Sequence, residues 1–179
     1  MMGTYRLTIL ASLLIFFGPP SYANGRNVES LHHTIYLVRH AEKQKGKNPA
    51  LTREGQCRAQ FYAQYFSRIS LDRLFASHYR RNQETAAPVK DKQGLDALPF
   101  DPSQQQAFAR QLAKLDGDTL VVAHNHLPEI IRALGGQYDG DIDHSEYRYI
   151  FSLELKDGKL LKQHLFIGPY FSKDCQAKI

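Results

Sequence analysis

Two short runs, IYLV at 35–38 and TLVVA at 119–123, hold almost nothing that wants water. A strand with one wet face alternates apolar and polar residues, whereas a strand covered on both faces reads as a continuous apolar run. The runs therefore predict central strands of a largely parallel sheet, and parallel neighbours need crossover helices to join them. Each run also stops abruptly at nitrogen-rich side chains: Arg39-His40 after the first and His124 after the second. In open α/β sheets ligands bind beyond the carboxyl ends of the strands. The placement of those side chains is thus a statement about function as well as fold.

The rest of the chain fits this alternation. The polar loop EKQKGKNPA leads to a helix opening near Leu51-Thr52, with Ala59, Tyr62, Ala63, Phe66 and Ile69 on its apolar face and Thr52 as the cap. A strand over Leu71 to Ser77 and a helix from about Arg81 to Lys90 follow. LDALPFDPSQQQ reads as a strand end entering a helix, with Pro102 near its first position and Phe108, Leu112 and Leu115 as its buried stripe. After His124, Pro128 starts a helix closed by Gly135-Gly136, and EYRYIFSLEL with KLLKQHLFI around Asp157-Gly158 forms a terminal hairpin. The expected fold is a three-layer α/β sandwich, with a mostly parallel central sheet and helices on both faces.

The first 23 residues are expected to stand apart from that fold. Arg6, the apolar stretch Leu7 to Phe17, Pro19-Pro20 and the small residues of Ser21-Tyr22-Ala23 follow the pattern of a signal peptide. The apolar stretch is too short for the roughly 20 residues of a membrane span. One domain over 24–179, periplasmic or secreted and without a stable membrane span, is the expectation. In an oxidising compartment Cys57 and Cys175 have two readings, a disulfide or a buried helix thiol with an unpaired tail thiol. The net charge of +5 favours anionic ligands, and the absence of a dense Lys/Arg block argues against nucleic acid.

Arg39, His40, Arg81 and His124 all follow strands, and in a parallel sheet they converge on one edge. Guanidinium groups match phosphate oxygens bidentately, and a neutral imidazole is a nucleophile, so the set suits a phosphate dianion. LVRHAEK, SHYRRNQETAAP and LVVAHNHLPEII together resemble the histidine phosphatase superfamily, the phosphoglycerate mutase-like proteins. Ala41 stands where the family's first motif has glycine. LTREGQCRAQ is similar to the family's helix start, and Arg81 rather than Arg80 takes the place of the second arginine. The resemblance runs from Ile35 through Ile167 and implies a phosphohistidine on His40. Arg39, Arg81 and His124 would hold the phosphoryl oxygens, with Asn125 and His126 beside the substrate.

The resemblance implies a metal-independent phosphatase that needs no cofactor. Its substrate would be a small phosphorylated molecule, such as a sugar phosphate or a lipopolysaccharide-core phosphate. The large insertion that mutases use is missing between Thr85 and Asp101. The leaving oxygen needs a proton, and two carboxylates compete for that role: Asp101 in PFDP, which otherwise reads as a helix cap, and Glu42, which otherwise orients Arg39 or Lys43. The alternative function is a catalytically inactive phosphate-ester-binding module of the same fold. His126 also reads as a helix cap. His32-His33, Arg53, Arg58 and Arg80 read as solvated surface, and Tyr147 with Tyr149 as sheet packing.

Overall fold

The apolar runs become the middle of a six-stranded sheet in a computed structural model that describes residues 31–178. The expected leader over 1–23 lies outside the described residues. In chain order the elements are β1 (His32–Arg39), α1 (Arg53–Phe66), β2 (Arg73–Ala76), α2 (Arg80–Gln93), β3 (Ala97–Leu98) and α3 (Gln105–Leu112). They continue with β4 (Thr119–Ala123), α4 (Leu127–Ala133), β5 (Tyr149–Lys156), β6 (Lys159–Ile167), β7 (Tyr170–Phe171) and β8 (Ala177–Lys178). The sheet order is β3-β2-β4-β1-β5-β6. The first four of these strands run parallel, and β5 and β6 add an antiparallel hairpin.

Side-chain alternation along the central strands sorts the core into two layers. Ile35, Leu37, Phe75, Val121, Phe151 and Leu153 face α3 and α4, where they meet Phe108, Leu112, Leu127 and Ile131. Val38, Leu74, Leu120 and Val122 face α1 and α2, where they meet Tyr62, Phe66, Ala86 and Val89. Helices thus cover both faces of the sheet, as the unalternating runs require. The β5–β6 turn places Asp157 at φ 50° and Gly158 at φ 74°, the double left-handed pair that a tight hairpin demands.

Two local expectations change, and one of the two readings of the cysteines holds. Pro102 lies in the turn ahead of α3, which begins only at Gln105. β1 starts at His32, and His33 is buried with its Nε2 3.3 Å from the Leu112 carbonyl oxygen. The pleat decides this: His33 shares the face of Ile35 and Leu37 and must go inward with them. Cys57 and Cys175 form a disulfide with Cα atoms 5.1 Å apart, which ties the chain's end to α1.

Candidate active site

Register builds the site. Arg39 pairs with Ala123 across the parallel β1–β4 ladder, and the next amide, His40 N–H, donates to the Ala123 carbonyl at 2.9 Å. His40 and His124 therefore leave adjacent strands at the same height. His40 Nε2 lies 3.0 Å from His124 Nδ1, with ring centroids 4.9 Å apart. His40 Nδ1 lies 2.8 Å from the Ala41 carbonyl oxygen, which accepts only if that nitrogen carries the proton. The tautomer is thereby fixed, and Nε2 bears the lone pair.

A chain of hydrogen bonds holds that carbonyl in place. Ala41 N–H donates to Thr85 Oγ1 at 2.9 Å, and the Thr85 hydroxyl donates to the Arg81 carbonyl at 2.7 Å. One side chain of α2 thus links the segment after His40 to the first turn of that helix, which bears Arg81. On the other side, the Glu42 carbonyl accepts from Thr52 N–H at 2.9 Å at the start of α1. A β-carbon on Gly55 would sit 2.1 Å from that carbonyl oxygen, so the helix start approaches this closely only with glycine. Thr52 Oγ1 accepts from Gly55 N–H at 3.2 Å and caps α1 as its position predicts.

Two guanidinium groups flank the histidines, Arg39 at 2 % exposure and Arg81 at 7 %. Arg39 Nη1 donates to the backbone carbonyls of Asp143, His144 and Glu146 at 2.9–3.1 Å, and its Cζ lies 4.6 Å from the Tyr147 ring centroid. Arg81 lies over the Tyr79 ring at 4.4 Å. The Nε of each arginine is buried without a hydrogen-bond partner, and among the described residues neither pairs with a carboxylate. Two buried cations facing neutral rings make a place where an anion is favoured. Burial, opposed by the Ala41 hydrogen bond and aided by the two arginines, lowers the His40 pKa from 6.5 to about 2. Burial and the same arginines lower that of His124 to about 3, so both rings are neutral near pH 7.

The two carboxylates expected as proton donors already have partners of their own. Glu42 is bound side-on by Arg58, with Nε at 3.0 and 2.9 Å from its two oxygens and Nη2 at 2.7 Å from Oε1. It orients neither Arg39 nor Lys43. Arg58 is no surface charge: it is 0 % exposed and also donates to the Pro169 carbonyl at 3.1 Å. Asp101 is exposed and accepts from Ser103 N–H at 2.8 Å and Ser103 Oγ at 2.7 Å. Those two donors hold its carboxyl below the usual carboxylate range. Neither carboxylate hydrogen-bonds to His40 or His124.

Tyr147, expected as packing within a strand, precedes β5. Its ring lies 5.9 Å from that of His40 and against Arg39, while its carbonyl accepts from the buried Tyr62 hydroxyl at 2.8 Å. Among the described residues, the Asn125 Oδ1 is buried without a partner. His126 occupies the N-cap position of α4 but makes no side-chain cap bond. It lines an open cleft of about 360 Å³ with Tyr79, Pro102, Ser103, Gln105 and His124. A larger groove of about 450 Å³ runs between α1 and α2 beside Cys175 and contains none of these groups. Among the described residues, no three His, Cys, Asp or Glu side chains gather as a metal-ligand set.

No curated protein sequence matches the chain. The structure resembles that of the protein histidine phosphatase SixA complexed with tungstate at TM-score 0.56 and 19 % identity, covering 73 % of this chain and 95 % of the other. It resembles mycobacterial glucosyl-3-phosphoglycerate phosphatase at TM-score 0.57 and 11 % identity, covering 76 % and 98 %. A structure described as mycobacterial hydrolase 2 aligns at TM-score 0.54 and 13 % identity, covering 76 % and 90 %. Likeness at these identities establishes the fold. The sequence model of the histidine phosphatase superfamily, branch 1, matches residues 35–102, the stretch carrying Arg39, His40, Thr85 and Arg81. Residues 35–102 thus match the histidine phosphatase superfamily by sequence, and the described residues share the fold of these phosphatase structures.

Proposed function

We propose that the protein is a metal-independent phosphomonoester hydrolase acting through a phosphohistidine on His40. The observation that carries this reading is the state of the nucleophile. His40 Nδ1 is committed to the Ala41 carbonyl, and Nε2 is turned toward His124 between two arginines that have no carboxylate partner. Nε2 attacks phosphorus, the N–P bond forms and the P–O ester bond breaks. Arg39, Arg81 and His124 stabilise the charge spread over the three transferring oxygens. Water then cleaves the N–P bond and releases phosphate. The two guanidinium groups supply the positive charge that a metal would otherwise provide.

The substrate in this reading is a small phosphate ester, and a sugar phosphate or a lipopolysaccharide-core phosphate fits an open cleft rimmed by Ser103, Gln105 and His126. We place the protein in the periplasm or outside the cell. The Cys57–Cys175 disulfide supports that location, because such bonds persist in oxidising compartments. Hydrolysis of an aryl phosphate in EDTA, wild type against His40→Ala, tests the mechanism. Activity that survives His40→Ala refutes the phosphohistidine, and activity abolished by EDTA refutes metal independence. A folded protein that binds phosphate but hydrolyses no ester is instead the inactive binding module of the same fold.

A further inference from the structure

The proposed hydrolysis requires a proton for the leaving oxygen, and the carboxylates around the arginines are committed elsewhere. Glu42 is held by Arg58 and Asp101 by Ser103. Asp143 accepts from both the amide and the hydroxyl of Ser145, and Glu146 is gripped side-on by Arg148. Each already accepts hydrogen bonds from a partner of its own, which competes with the proton a donor must carry.

His126 has the placement those carboxylates lack. It shares the cleft with His124, the ring centroids lie 6.2 Å apart, and the planes are nearly perpendicular at 87°. Its Nδ1 lies 3.0 Å from Glu129 Oε2, one turn along α4, so the ring is oriented although it caps no backbone amide. Glu129 takes one ring nitrogen and leaves the other, Nε2, for exchange. An exposed pair of this kind adds little to stability, so the fold gives no strong reason for it.

We infer that His126 is the proton donor to the leaving group and that Glu129 is its positioning residue, an assignment that rests on the phosphohistidine reading. In the first half-reaction, His40 Nε2 bonds to phosphorus and the P–O electrons pass to the ester oxygen. That oxygen takes the Nε2 proton of the His126 imidazolium, which gives a free alcohol and a neutral ring. In the second half-reaction, water attacks phosphorus and the N–P electrons return to His40. His126 Nε2 takes the proton of the attacking water and is restored to the imidazolium.

The full chain is assayed on two esters: glycerol 2-phosphate, whose alkoxide needs the proton, and 2,4-dinitrophenyl phosphate, whose leaving group does not. His126→Ala and His126→Asn, each verified as folded by circular dichroism, lower kcat/KM on the glycerol ester about 100-fold or more and on the aryl ester less than about 10-fold. Glu129→Gln shifts the same ratio in the same direction by about 10-fold, which loss of a merely structural contact would not do. Equal losses on both esters in the His126 variants, or the split arising from Asp101→Asn instead, overturn the assignment while the phosphohistidine stands. A His40→Ala enzyme that still turns over either ester overturns the underlying reading itself.

Discussion

Replacing Arg58 by methionine tests whether Glu42 serves architecture or chemistry. The Arg58 side chain is 0 % exposed and that of Glu42 22 %, with three nitrogen-to-oxygen contacts of 3.0 Å or less between them. Breaking a buried pair by removing one partner costs about 3–5 kcal/mol, because the other charge stays behind unpaired. Arg58→Met leaves a carboxylate that water still reaches at one edge, which places it near the lower end, about 3 kcal/mol. Glu42→Leu leaves a fully buried guanidinium with only the Pro169 carbonyl and the Phe171 ring, which places it near about 5 kcal/mol. The double variant removes both charges and returns to within about 2 kcal/mol of wild type. In urea unfolding, at a slope of about 2 kcal/mol per molar, the single variants lower the midpoint by roughly 1.5–2.5 M. Glu42→Gln keeps hydrogen bonds to Arg58 and leaves the ratio of alkyl to aryl phosphate hydrolysis unchanged. Single variants that each cost under 1 kcal/mol, or a double variant as unstable as the sum, refute the buried-pair reasoning. A changed ester ratio in Glu42→Gln makes Glu42 an acid after all.

Three further outcomes follow from the same geometry. The disulfide closes 118 residues of chain, so Cys57→Ala with Cys175→Ala lowers stability by up to about 5 kcal/mol, a fall of roughly 10–20 °C in thermal midpoint by calorimetry. His40 titrates at about 2 in the fold against 6.5 in the unfolded chain, so between those values the unfolded state binds the extra proton and stability falls as pH falls. From pH 7 to pH 5 His40 alone accounts for a loss of about 2 kcal/mol and His124, lowered to about 3, for a similar amount; urea titrations at the two pH values measure the sum, and His40→Gln removes only the His40 share. Gly55→Ala forces a β-carbon into the Glu42 carbonyl, costing about 1–3 kcal/mol in urea unfolding, and lowers kcat by displacing the segment that follows His40.

The parts of this molecule legible in its sequence are those set by local pattern. Unalternating runs announced β1 and β4, and nitrogen-rich side chains directly after them placed His40 and His124 on one edge. Arg58 and Tyr147 were not legible because their surroundings come from pairing across the chain. Arg58 stands on the buried stripe of α1, one turn before Tyr62, and its charge reads as surface only until Glu42 and the carbonyl of Pro169 are brought to it. Tyr147 reaches Arg39 only because β5 runs antiparallel to β1 in a register that sets Val38 opposite Ile150. The surroundings of the two candidate acids were hidden for a related reason. Asp101 and Glu42 have suitable chemistry, and only the fold shows that Ser103 and Arg58 already bind them.

The sheet order also governs how the protein is assembled as it is made. β1 is the earliest of the six strands in the chain, yet its neighbours β4 and β5 begin at Thr119 and Tyr149, so the strand that carries Arg39 waits for most of the polypeptide. Pairings this distant fold slowly, because the loop must close before any contact rewards it. The covalent ring from Cys57 to Cys175 contains both of those neighbours and excludes β1. If oxidation outruns folding, His40 must enter as a free strand slotting between two members of a closed loop. The timing of thiol oxidation relative to docking of the first strand thus bears on the yield of correctly folded protein, even though neither cysteine lies in the site.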